Sequence, residues 1–220
     1  LSQAFKDKNL KKISNIQSKS IKLCLLLSIP ASLGLIIGSE EIVNALFGYG
    51  SFTIEDVNMT AKALKFFGYG IPAFALIKIL SNFFFARNNT KIPFYISLLI
   101  VVLNVSISLI FFKNIGFIII PIATSLSTWV GVFLYAILLI SKKILHLDKS
   151  LFNNIFKIVL MSILMSCILI FALNIFEHFL DFSTKYKAVY LMLIVCFVAS
   201  FYLISCYLIG LLKTKNFKIN

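Results

Sequence analysis

The sequence predicts an all-α integral membrane protein with about six transmembrane helices. Of its 220 residues, 60% are hydrophobic and only 13% are charged, whereas a soluble domain is about 45–50% apolar. Apolar runs of roughly 20 residues, long enough to cross a hydrocarbon core about 30 Å thick, alternate with short charged clusters. A helix can cross this core because it satisfies its own backbone hydrogen bonds. The runs are continuous rather than alternating, which argues against a β-barrel.

Charged breaks delimit the predicted spans in the first half of the chain. The first span, residues 21–38, follows a basic stretch and ends before two glutamates. A short apolar segment, residues 42–47, continues this span or lies at the membrane interface. The second span, residues 61–85, ends just before Arg87.

The last four predicted spans form two pairs. The third and fourth spans, residues 94–112 and 117–140, are separated by a short break that contains Lys113. The fifth and sixth spans, residues 152–176 and 188–212, contain fewer strongly polar residues than the others. This last pair is therefore expected to face lipid.

The first 20 residues form a basic lead-in in which apolar residues recur every three to five positions. This spacing predicts an amphipathic helix on the cytoplasmic face of the membrane. No cleavage site follows the apolar region, so the segment does not resemble a signal peptide. Since the sequence does not begin with Met, we expect a fragment of a longer membrane protein or the product of a split gene.

The distribution of lysine and arginine predicts the orientation. Fifteen of these 21 residues fall on one side of the predicted spans, five fall on the other, and Lys78 lies inside a span. The positive-inside rule then places both termini in the cytoplasm. The net charge of +13 follows from this topology and gives little support to nucleic-acid binding.

No motif of a soluble enzyme is present. The four cysteines lie in apolar runs without metal-ligand spacing, which is typical of small packing residues. The sequence contains no nucleophile–base pair and no glycine-rich phosphate loop. We therefore expect a protein that is not an enzyme and that needs no metal and no cofactor.

The candidate functional residues are the polar ones inside the spans. Lys78, Ser81 and Asn82 fall on one helix face at i, i+3 and i+4, and Asn104 lies in the next span. Such residues either hold helices together by hydrogen bonds or line a water-accessible cavity. For the hydroxyl-bearing residues we favour helix association. The four residues named here are the cavity or substrate-facing candidates.

Lys78 needs a reason to stay in the membrane, because a lysine at the bilayer centre costs about 2.5–3.5 kcal/mol. Its side chain tilts toward the helix N-terminus, and hence toward the bilayer middle in the predicted orientation. This direction disfavours snorkelling to the nearer interface. The sequence therefore favours a hydrated cavity or a partner carboxylate from outside this chain.

Three residues are candidate conformational hinges: Gly70, Pro72 and Pro30. A proline inside a helix removes a hydrogen bond and kinks the helix. Kinked helices suit a transporter that moves between two states, but static membrane helices also contain prolines.

Residues Phe47–Phe111 closely resemble the C-terminal half of the MurJ/MviN family. The matching features are the turn Gly50–Phe52, Asp56, Lys78, Asn104 and the turn Phe85–Pro93. Where the family usually has Tyr, Asp and Thr in the last turn, this chain has Phe85, Asn89 and Ile92.

The resemblance implies a part of a bacterial inner-membrane flippase for lipid II, the undecaprenyl-linked peptidoglycan precursor. Family members have fourteen helices, of which this chain would supply helices nine to fourteen. Residues 21–144 would be four helices of the second lobe, and residues 145–220 would be the C-terminal helix pair with its basic tail. The resemblance also implies that this last pair borders a groove for the lipid tail. The first lobe, which holds most of the essential cavity charges, would be a missing partner.

Two other functions stay open at this point. One is a different flippase of the same superfamily, which exports polysaccharide-linked lipids or drugs. The other is a non-transporting membrane remnant that uses its polar faces only for assembly.

Overall fold

The computed structural model describes residues 10–145 and 149–212. Within these ranges the chain is helical, with six long helices and two short ones. We number them α1 (Leu10–Ile37), α2 (Ser39–Phe47), α3 (Ile54–Phe85), α4 (Lys91–Ile115), α5 (Ile119–Ser141), α6 (Lys149–Ile175), α7 (Glu177–Leu180) and α8 (Lys187–Leu208).

Five stretches of the described chain are long and apolar enough to cross a membrane. One of them, Lys91–Ser141, contains both α4 and α5, which are separated by the 3₁₀ turn Gly116–Ile118. Gly116 has a φ of 74°, which glycine adopts without steric cost. The predicted all-α membrane class is confirmed, and six long helices correspond to the six predicted spans.

Helix α1 is longer than the first predicted span. It is helical from Leu10 rather than from residue 21, because no glycine or proline interrupts the chain before Pro30. The second half of the lead-in therefore continues into the first span instead of forming a separate helix. Residues 1–9 of the lead-in lie outside the described residues.

The short apolar segment after the first span forms a helix of its own, α2. Gly38 separates it from α1. Val43 of α2 is buried together with Val57 and Ala61 of α3. The segment is therefore a separate helix that packs against α3 rather than a simple continuation of the first span, and its position at the membrane interface stays a prediction.

Two compact units make up the chain, and each combines two chain segments. Among the described residues, one contains residues 10–28, 70–145 and 149–156, and the other contains residues 29–69 and 157–212. This division follows compactness, whereas the predicted division at residues 20 and 144 follows transporter lobes and stays a prediction.

In the first unit, buried aromatic and polar contacts join distant segments. The rings of Phe84 and Tyr135 lie 6.0 Å apart. The Tyr135 hydroxyl donates to the carbonyl of Pro93 at 3.5 Å. Gln17, which is fully buried, donates from Nε2 to the carbonyl of Ile144 at 2.9 Å. Because lipid is as apolar as leucine, such packing and hydrogen bonds hold membrane helices together.

The turn between α3 and α4 has local hydrogen bonds that explain its sequence. Asn88 adopts a φ of 57°, a conformation that asparagine tolerates. The Asn89 side-chain oxygen accepts the backbone N–H of Ile92 at 3.2 Å. An asparagine oxygen can accept a backbone N–H at a helix start, so Asn89 satisfies one of the free N–H groups in the first turn of α4.

Candidate functional site

Lys78 is exposed near the C-terminal third of α3, and no described residue forms an ion pair with it. Exposed positions on this helix recur at Phe74, Lys78, Asn82 and Phe85, a spacing that places them on one helix face. Ser81 is half-buried, and its hydroxyl donates to the Lys78 carbonyl at 3.1 Å. The structure thus presents Lys78 and Asn82 outward, whereas the Ser81 hydroxyl is satisfied within its own helix.

Asn104 joins α4 to α5 through a small polar cluster. Its Nδ2 donates to Thr124 Oγ1 at 2.9 Å, and its Oδ1 accepts from Ser108 Oγ at 3.4 Å. The Thr124 hydroxyl in turn donates to the carbonyl of Ile120 at 2.7 Å. All three side chains are half-buried. The cluster contributes to helix association, and a substrate-facing role for Asn104 stays a prediction.

Gly70 is buried where α3 approaches α5. A Cβ added to Gly70 would lie 2.6 Å from Ser125 Oγ and 3.2 Å from Ser125 Cβ, which is too close for any larger residue without a shift. Close helix approach therefore explains this glycine. Pro72 and Pro30 are buried inside the continuous helices α3 and α1. The hinge role of all three residues stays a prediction.

An apolar groove of about 450 Å³ lies between α6 and α8. Apart from the tyrosine hydroxyl, its lining is hydrocarbon, as expected for a surface that contacts lipid. The lining residues are Ile168, Phe171, Ala172, Ile175 and Phe176 on the α6 side and Tyr190, Leu193, Ile194 and Phe197 on the α8 side.

Lys187, the first residue of α8, is completely buried. Its ammonium donates to three oxygens: Asn44 Oδ1 at 2.9 Å, the Gly48 carbonyl at 2.7 Å and the Phe182 carbonyl at 2.9 Å. The ammonium also lies 4.4 Å from the centre of the Tyr49 ring and 4.6 Å from that of Phe182. Three acceptors and two ring faces compensate the loss of water around this charge.

The sequence prediction missed this role of Lys187. It treated the residue as one of the lysines outside the spans, since it directly precedes an apolar run. The acceptors that allow its burial lie 139 and 143 residues earlier in the chain, and one lies five residues earlier. No local pattern marks such a site.

Glu41 in α2 lies outside the candidate membrane stretches. Its Oε2 is buried, and no described residue hydrogen-bonds to that atom. Burial raises the pKa of the Glu41 carboxyl above its usual value. The charges of Glu40 and Glu177 add to this rise in pKa, and a backbone hydrogen bond opposes it.

A family model for the lipid II flippase MurJ matches residues 1–190 of the chain. The chain belongs to the lipid II flippase MurJ family. The resemblance carried by Phe47–Phe111 is thereby confirmed. The match favours this family over the other families of the superfamily.

Curated members of the MurJ family share about a third of the aligned residues with this chain. The chain is 34% identical over 169 residues to the probable lipid II flippase MurJ of Rickettsia prowazekii (strain Madrid E), covering 77% of this chain and 33% of that protein. It is 36% identical over 151 residues to the probable lipid II flippase MurJ of Thermotoga maritima, covering 68% of this chain and 30% of that protein. The chain therefore spans about a third of the length of these relatives.

A solved structure shares this fold. The chain is similar to the lipid II flippase MurJ in its inward closed conformation, with a TM-score of 0.72 and 26% identity. The similarity covers 94% of this chain and 41% of that protein. The assignment of α1 to α8 to particular MurJ helices, nine to fourteen, stays a prediction.

Proposed function

We propose that this chain is the C-terminal part of a MurJ-type flippase that moves lipid II across the bacterial inner membrane. The family match over residues 1–190 is the observation that carries this proposal. The five long apolar stretches support an integral membrane location. Transport is a property of the whole protein, so the remaining lobe is the necessary partner of this chain.

The groove between α6 and α8 is the proposed site for the undecaprenyl tail. Its lining offers hydrocarbon and ring faces along one turn after another of both helices. A lipid tail loses no hydrogen bond when it leaves the bilayer for such a surface. The resemblance to the family led to the same expectation for the last two helices.

Lys78 is the proposed contact for charge. It is exposed on α3, and no described residue neutralises it. A lysine ammonium is a compact point charge with three donors, which suits a diphosphate or a carboxylate. In the complete transporter, Lys78 would face the central cavity and meet the diphosphate of the lipid carrier or a carboxylate of the remaining lobe.

Complementation tests the proposal. A bacterium depleted of its own flippase receives either the complete protein or this chain alone, each at a verified membrane level. We expect growth with the complete protein and no growth with the chain alone, because the lobe that would face its cavity is absent. Growth with the chain alone would refute the need for a partner lobe. Failure of the complete protein at a normal membrane level would refute lipid II transport.

A further inference from the structure

One side chain holds both ends of the segment 181–186, which connects α7 to α8. Asn44 accepts the hydrogen bond from Lys187 through Oδ1, and its Nδ2 donates to the carbonyl of Leu180 at 2.8 Å. Leu180 is the last residue of α7, and Lys187 is the first residue of α8. The end of α7 and the start of α8 are therefore fixed to the same residue of α2. We call Lys187, Asn44 and the carbonyls of Gly48 and Phe182 the clasp.

The clasp has three acceptors for three ammonium protons. A lysine donates three hydrogen bonds, and Asn44, Gly48 and Phe182 supply three oxygens within 2.9 Å. Gly48 allows this approach, because a Cβ at this position would lie 3.0 Å from the ammonium and would meet the Asn44 side chain. The arrangement fits an ammonium better than the planar guanidinium of arginine.

The clasp is connected to one end of the apolar groove by aromatic contacts. The Phe179 ring of α7 packs 4.9 Å from the Tyr190 ring of α8 and 6.2 Å from the Phe176 ring. Phe176 and Tyr190 both line the groove. They form what we call its clasp end, and Ile168 and Phe197 lie at the far end.

We propose that Lys187 is a positioning residue that holds the groove walls at the clasp end, and thereby determines how a lipid chain is held there. It does this without lining the groove. The proposal rests on the proposed function, in which the groove contains a polyprenyl tail. The clasp fixes the start of α8, which contains Tyr190. Tyr190 in turn packs on the ring of Phe179 in α7.

Position-dependent cross-linking tests this role in the full chain. Photoreactive benzoylphenylalanine replaces Ile175 at the clasp end or Ile168 at the far end, and radiolabelled undecaprenyl phosphate in nanodiscs is the probe. We expect Lys187→Met to reduce cross-linking several-fold at position 175 and to leave it unchanged at position 168. Lys185→Met is the matched control, since Lys185 is an exposed lysine of the same segment. It should change neither yield.

Asn44→Asp separates the two halves of the clasp. It keeps an acceptor for Lys187 but removes the donor to Leu180. We expect an intermediate loss at position 175. An equal loss at positions 175 and 168, accompanied by less folded protein, would reduce Lys187 to a general stabilising residue and overturn the proposal. Unchanged yields at both positions would overturn it as well.

A second measurement needs no lipid. In a cysteine-free background, nitroxide labels are attached at Val189 and Leu203, which are exposed near the start and end of α8. We expect Lys187→Met to raise label mobility at Val189 and not at Leu203. Unchanged mobility at Val189 would overturn the clasp while leaving the lipid groove intact. If the chain with native Lys187 gave no cross-linking at either position, the lipid groove would be overturned instead. The mobility measurement would then test the clasp alone.

Discussion

The ammonium of Lys187 donates a 2.9 Å hydrogen bond to the side-chain oxygen of Asn44, which lies 143 residues earlier in the chain. Lys187 has no solvent exposure. Asn44 also donates to the Leu180 carbonyl at 2.8 Å. This asparagine therefore connects the short helix α2 with the residues on both sides of the 181–186 segment.

Replacing Asn44 should destabilise the protein. Asn44→Ala removes the donor to Leu180 and one of the three acceptors of Lys187. An unsatisfied buried polar group costs about 1–3 kcal/mol, so the midpoint of thermal unfolding in detergent should fall clearly. Asn58→Ala is the control, because Asn58 is an exposed asparagine and its loss should matter little. Equal midpoints for the two variants would contradict the structural role of Asn44.

Glu41 should make stability depend on pH. Burial raises the pKa of its carboxyl in the folded state, so the folded protein holds this proton more firmly than the unfolded chain does. The contribution of Glu41 to the free energy of unfolding is thus fully present below the usual glutamate pKa of about 4.3. It is lost as the pH rises through the higher pKa of the folded state.

The variant Glu41→Gln should remove this dependence and stabilise the protein at neutral pH. Thermal unfolding measured at about pH 4 and about pH 8 compares the two ends of the window. Glu55→Gln, at an exposed glutamate, serves as the control. A larger stabilisation by Glu55→Gln than by Glu41→Gln would show that general charge reduction, rather than burial of Glu41, is responsible.

Gly70 should be intolerant of a side chain because of Ser125. Gly70→Ala places a Cβ 2.6 Å from the Ser125 hydroxyl oxygen, and overpacking of this kind costs about 1–3 kcal/mol. In a double-mutant cycle, Ser125→Ala should recover part of the lost stability, because it removes the 2.6 Å contact and leaves contacts of 2.8 Å to Phe74 Cε2 and 3.2 Å to the Cβ of residue 125. Gly34→Ala is the control, since nothing lies within 4 Å of the added carbon. If Gly70→Ala abolished transport but left stability unchanged, the hinge interpretation would be preferred.

The topology prediction is tested by labelling single cysteines. In a background that lacks the four native cysteines, thiols at Asn58 and Thr184 should react with an impermeant reagent from outside the cell. A thiol at Asn89 should react only after the membrane is opened. External labelling at Asn89 would reverse the predicted orientation, with both termini outside.

Substitutions of Lys78 distinguish three roles in the complete transporter. If Lys78 faces the cavity, Lys78→Arg should keep part of the transport activity and Lys78→Leu should lose most of it, with a normal amount of protein in the membrane. The reason is that the charge contacts the substrate or a partner carboxylate. A snorkelling lysine should tolerate Leu, which removes an insertion cost of about 2.5–3.5 kcal/mol. A structural ion pair should lose folded protein in Lys78→Leu. Complementation and membrane level are measured together, with Lys62→Leu, at an exposed lysine of the same helix, as the control.

The sequence predicted the long helices well because the length of an apolar run is a local property. All six predicted spans lie largely within the six long helices. The largest boundary difference is in α1, where the helix extends through the basic lead-in from Leu10. The polar residues of the lead-in led the prediction to start the span at residue 21. Helix formation, however, depends on the backbone and not on where the bilayer begins.

The polar contacts were only partly predictable. Asn104 was identified as a polar residue in a span, but its partner Thr124 depends on how α4 and α5 pair. Lys187 was assigned to the charges outside the membrane, since its burial depends on oxygens from two separate segments, residues 44–48 and Phe182. The chemistry of a side chain can be read locally, but its partners depend on the assembled fold.

The discontinuous compact units have a consequence for biosynthesis. Among the described residues, one unit needs residues only up to 156, whereas the other combines residues 29–69 with residues 157–212. The Gly48 carbonyl is therefore synthesised before its hydrogen-bond donor Lys187, which the ribosome adds 139 residues later. During translation, the segment from 29 to 69 enters the membrane without the ammonium that its oxygens will bind. We expect nascent chains arrested before residue 187 to expose this segment to proteases, and chains released after residue 212 to protect it.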